Sequence, residues 1–115
     1  MNKIVLDYHK DKELFNETAK GWAEEINRTK KTQVRNFYDK VLELENRVKK
    51  EEWEDVLPFV KMLNSKVEYA LTRKVASPEF KDMMNQCIAQ VNSKEDLKTF
   101  KLFFEAVIGF YKGRD

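Results

Sequence analysis

Apolar residues recur at intervals of three and four along most of the chain, the repeat of helices with one buried face. From about Lys12 to Asn27, that face carries Phe15, Ala19, Trp22, Ala23 and Ile26, and Gly21 weakens the helix by ~1 kcal/mol relative to alanine. Residues 1–11 hold Ile4, Val5 and Leu6 without a period, which suits an extended arm docked on the body. After the polar break Arg28-Thr29-Lys30-Lys31, Thr32 is positioned to cap a second helix. The stripe of that helix is Val34, Phe37, Val41, Leu44 and Val48, a long narrow seam able to pair with another helix or with a copy of itself.

The run Lys49 to Asp55 is almost entirely charged and reads as a solvated connector ending near Trp53. Pro58 fits the first turn of a third helix, where its missing N–H costs nothing, and Val60, Leu63, Val67, Leu71 and Val75 follow as the stripe. Ala76-Ser77-Pro78 is the clearest punctuation, with Ser77 as cap and Pro78 as first helical residue. Phe80, Met83, Met84, Cys87, Ile88 and Val91 then line a fourth helix. Ser93 with Asp96 three residues on makes an acidic variant of the capping box, and opens a fifth. Its stripe is Leu97, Phe100, Phe104, Val107, Ile108 and Tyr111, with Gly113 just beyond its end. The expectation is an all-α, single-domain bundle of about five helices spanning residues 1–115.

Composition narrows the chemistry. A chain of 115 residues holds one core, and 3 glycines and 2 prolines are too few for a turn-rich sandwich or barrel. The 22 basic and 20 acidic residues leave a formal charge of +2, so any nucleic-acid role depends on where the charges sit. One cysteine (Cys87) forms no internal disulfide, and with one histidine (His9) it builds no Cys/His zinc site. The start of the chain lacks the apolar run of a signal peptide, and no stretch approaches the roughly 20 apolar residues of a membrane span. These features point to a cytoplasmic protein with no membrane partner.

Consecutive acids such as Glu24/Glu25 and Glu51/Glu52 diverge by about 100° on a helix, so they are solvated faces and not acid–base pairs. Cys87 falls on an apolar stripe, as a core thiol does. The glycines at 21, 109 and 113 are too scattered to cradle a phosphate. No catalytic, metal-binding or cofactor-binding constellation emerges.

Two basic features remain. Arg28, Lys30, Lys31 and Arg35 put four cations in eight residues with no acid among them, at the start of a helix. A helix N-terminus already carries about half a unit of positive charge, so cations gathered there repel unless an anion joins them. The alternatives are a phosphate cradle and a merely solvated loop. On the third helix, Lys66 and Arg73 project roughly 120–140° from the core stripe, among Phe59, Met62, Tyr69 and Ala70. Cations interleaved with an aromatic ring suit a groove that tracks a phosphate backbone, whereas the same side chains could equally snorkel to nearby acids.

Three segments carry a family resemblance. Thr32-Gln33-Val34-Arg35-Asn36-Phe37-Tyr38 resembles the Ser-Gln-Ile-Arg-Lys-Phe-Tyr-like signature of the small, all-helical subunit of type III-A (Csm) CRISPR–Cas effector complexes. The stretch from Lys66 through Tyr69 and Ala70 to Arg73 is similar to that family's Lys…Tyr-Ala-x-x-Arg helix. Phe100 to Lys112 is similar to its C-terminal Phe…Glu-Ala-Val-Val-Ala-Tyr-His-Lys, with Phe110 and Tyr111 standing where Tyr and His are usual. The segments keep the family's order and spacing from Thr32 to Lys112.

The resemblance implies a non-catalytic, RNA-binding structural subunit for antiviral defence. It would stack into a minor filament lining the channel of guide RNA and target RNA. Its implied partners are those RNAs, other subunits of the complex and copies of itself, as a homodimer or in the stacked filament. Carried over position by position, the Thr32-Gln33-Val34-Arg35 start and the helix from Lys66 to Arg73 become the nucleic-acid face; on this expectation Lys30, Lys31, Arg35, Lys66 and Arg73 contact phosphates, while Gln33 and Tyr69 position the strand. The rival reading is a helical protein–protein scaffold without nucleic-acid contact, docking through the strip around Phe59 and Met62.

Overall fold

In the computed structural model, which describes residues 3–113, the stripes wind into five α-helices. These are α1 (Ala19–Glu25), α2 (Lys31–Arg47), α3 (Trp53–Thr72), α4 (Pro78–Ala89) and α5 (Lys94–Phe110). Helix α5 lies centrally, packed on α1 and α2, while α3 pairs with α4. The reason is composition: Leu97, Phe100, Phe103, Phe104 and Val107 are all fully buried, more apolar surface than one neighbour can cover. Phe37, Phe80, Phe100 and Phe104 join into an aromatic chain with centroid separations of 5.4 to 6.3 Å.

Ser77 and Ser93 cap α4 and α5 as their residue types dictate, accepting from the N–H of Phe80 (3.2 Å) and of Asp96 (3.1 Å). The helix starts differ in detail from the sequence reading. Lys30, not Thr32, is the N-cap of α2; its extended backbone ends the loop and Thr32 lies inside the helix. Helix α3 starts at Trp53, so part of the charged run is helical, with Glu54 and Asp55 favourably placed in its first turn. Pro58 therefore stands beyond the first turn. The first helix opens as a wide π-turn, Leu14–Thr18, in which the Thr18 N–H reaches the Glu13 carbonyl at 3.1 Å. That extra residue per turn shifts the phase, burying Leu14 and leaving Phe15 half-buried.

The seam read as available for self-pairing is consumed by the fold, since Val34, Phe37, Val41 and Leu44 are all in the core. Ala70, read on the outer strip of α3, is buried as well, and Leu71 is half-buried. Residues 3–7 form no helix. Ile4 and Leu6 are buried while Val5 is exposed, and the backbone is held by Gln86 of α4 and by Gln90, the residue that ends that helix, one turn apart. Gln86 Oε1 accepts from the Ile4 N–H (2.7 Å); Gln90 accepts from the Leu6 N–H and donates to the Ile4 carbonyl, both at 2.8 Å. Met1 and Asn2 of the expected arm lie outside the described residues.

Candidate nucleic-acid interface

Helices α2 and α3 run antiparallel. The start of α2 meets the α3–α4 link, where the Lys30 N–H donates to the Val75 carbonyl at 3.3 Å, and the end of α2 meets the start of α3, where the Arg47 guanidinium sits 4.7 Å from the Phe59 ring centroid. Helix α2 packs chiefly on α5 and α3 chiefly on α4, and a groove of about 630 Å³ opens between α2 and α3. Gln33, Asn36 and Lys40 line it from α2; Lys66, Tyr69 and Arg73 line it from α3. Four of the seven residues singled out in the sequence thus share one groove, together with the acids Asp39 and Glu43.

The remaining three, Lys30, Lys31 and Arg35, do not line the groove. They are exposed, in and just before the first turns of α2, the helix end that supplies Gln33 to the groove. That helix end concentrates positive charge. The Lys30 side chain makes no capping bond and the first turn holds no acid, as in α1 but unlike α3, α4 and α5, which each carry Asp or Glu there. The unpaired N–H groups of the turn and the cations beside them therefore add their positive potentials.

The cations are not consumed by neighbours. Among the described residues the ion pairs are Arg47–Glu51, Lys49–Glu45, Lys81–Glu68 and Lys101–Glu105, and none involves the seven. Glu68, the acid two residues from Lys66, is held instead by Lys81 of α4 at 2.6 Å. Tyr69 is 64% exposed, and the Arg73 guanidinium lies 5.5 Å from its ring centroid, which keeps a planar cation beside a free aromatic face. Chemically, the arrangement offers donors and an aromatic face to an anionic, planar-based polymer.

Two cations escaped the sequence list. Arg28 and Lys74 line a shallow depression of about 240 Å³ with Ser77 and Pro78, extending the positive surface past the end of α3. Arg28 belongs to the basic run visible in the sequence. The position of Lys74 depends on how the α3–α4 link turns, which no spacing rule announces; it is the described non-glycine residue with positive φ, at 64°. Among the described residues no group of three His, Cys, Asp or Glu side chains assembles as metal ligands would.

The sequence matches the family described as Csm2 Type III-A over residues 9–114, which extends the relationship N-terminally to α1 and the turn before it. No curated protein and no solved structure matched the chain. No described helix is long and apolar enough to cross a membrane.

Proposed function

The chain belongs to the Csm2 type III-A family and so is a subunit of a type III-A CRISPR effector complex; we propose that it is a non-catalytic cytoplasmic subunit that holds RNA. In this reading Lys30, Lys31, Arg35, Lys66 and Arg73 contact phosphates of the guide and target strands, while Gln33 and Tyr69 support the chain between them. Copies stack side by side along the complex. Base pairing between guide and target supplies sequence recognition, so the protein contacts are indifferent to sequence. One observation carries the reading: Lys66 and Arg73, free of carboxylate partners, line one groove with an exposed tyrosine and with Gln33, whose uncapped helix start carries the further unpaired cations Lys30, Lys31 and Arg35. A solvated basic loop has no need of that convergence, and snorkelling lysines have no need to leave Glu68 to another partner.

A salt titration of binding to an unstructured single-stranded RNA tests it. Affinity is expected to fall steeply with salt, and Arg35→Ala and Arg73→Ala should each reduce the slope of log K against log salt by roughly 0.7 to 1. Unchanged affinity and slope in both variants would remove the assigned surface. Binding to the complex that resists salt and fails when Phe59 or Met62 is made polar would favour the scaffold reading instead, since those side chains stand 43% and 44% exposed.

A further inference from the structure

Two of the three buried polar residues described, Thr29 and Ser77, lie against each other although 48 positions separate them. Thr29 is wholly buried in the middle of the basic loop, flanked by exposed Arg28 and Lys30. Every polar group it owns is engaged. Its N–H donates to the Ile26 carbonyl at 2.9 Å, its Oγ1 accepts from the Ser77 N–H at 3.0 Å and pairs with Ser77 Oγ at 2.9 Å, and its carbonyl accepts from the Tyr111 hydroxyl. Ser77 Oγ in turn caps α4. Thus one residue ties the loop to the start of α4 and to the end of α5, and the next N–H ties it to the α3–α4 link through Val75.

We infer that Thr29 and Tyr111 are positioning residues that hold the basic loop in register with the end of α3, so that Arg28, Lys30 and Lys31 act together with Arg73 and Lys74 on one polyanion. The inference rests on the RNA-holding reading and adds to it residues that carry no charge and touch no RNA. Filling the volume would need only an apolar side chain. Satisfying four directional bonds instead fixes the orientation of the loop, because a buried hydroxyl or carbonyl left unpaired is costly and tolerates little displacement. The cations it aligns come from two stretches 40 or more residues apart in sequence, which local helix geometry alone cannot align.

Thr29→Val and Tyr111→Phe each remove a hydroxyl while preserving shape. Both variants should keep the helical far-ultraviolet spectrum, and amides of residues 28–34 should exchange with solvent about tenfold faster than in the parent while α3 and α4 amides stay protected. Affinity for a single-stranded oligouridylate should drop about three- to tenfold, and the salt slope should fall by roughly 0.7 or more although no charge has been removed. Simple destabilisation lowers the active fraction without changing that slope. Unchanged loop exchange in both variants, or weaker binding at an unchanged slope, would overturn the inference. If the parent itself binds no RNA, the proposed function falls, and with it the role assigned to the clamp, while the exchange data still report whether the clamp exists.

Discussion

Cys87 illustrates how far environment governs a single side chain. Its thiol is fully buried between core residues of α4, and desolvation pushes its pKa well above the usual thiol range. A thiol reagent at pH 8 is therefore expected to label the native protein no faster than the chain unfolds, and rapid labelling under native conditions would contradict the packing. The sign with pH follows: the stability tied to this proton is complete below the ordinary thiol pKa of about 8.5 and is lost as pH climbs toward the folded value. Core membership of Cys87 was readable from its helical spacing, as it was for Phe80, Met83 and Ile88. Thr29 was not readable, because a polar residue in a polar run gives no periodic signal; only the tertiary partner Ser77 makes its burial affordable.

At the level of the helix, the starts of α4 and α5 were legible because serine hydroxyls advertise them, and both caps form. The start of α2 lies two residues before the cap that residue type suggests, because Thr32 offers a side-chain acceptor and Lys30 does not. The distinction has measurable consequences. Thr32→Ala, in an exposed helical position, should change stability by less than about 0.5 kcal/mol in urea unfolding, whereas a lost cap would cost about 1 kcal/mol. Lys30→Asp should act in two directions: it supplies a capping acceptor worth about 1 kcal/mol and, on the proposed function, weakens RNA binding, because it removes one of the cations at the start of α2. A variant that gained stability and bound RNA as well as the parent would separate the uncapped end from function. The start of α3 was hidden for another reason. A charged run resembles a loop to any hydrophobicity count, yet Glu54 and Asp55 are the acids a helix start prefers.

Across the whole molecule, the groove could not have been drawn from the sequence. The individual stripes locate cations on their own helices, but that Gln33 faces Arg73 follows from the antiparallel pairing of α2 with α3. The N-terminal arm is likewise a global feature, pinned to α4 by amide side chains and not by a sheet. Ile4→Ala or Leu6→Ala should each destabilise the entire fold by about 2–4 kcal/mol, while Val5→Ala should shift it by less than about 0.5 kcal/mol. Equal effects at the three positions, measured by urea midpoint, would mean the arm is not seated in alternation. The central place of α5 has a consequence for biosynthesis. The helix that covers α1 and α2 is the last of the five to leave the ribosome, so those two emerge with the surface that α5 covers unmatched, whereas α3 and α4 can already pair. At about 5–20 residues per second, the 17 residues of α5 take about 1–3 s to add, and for that time the surface they cover is open to a chaperone or to early collapse.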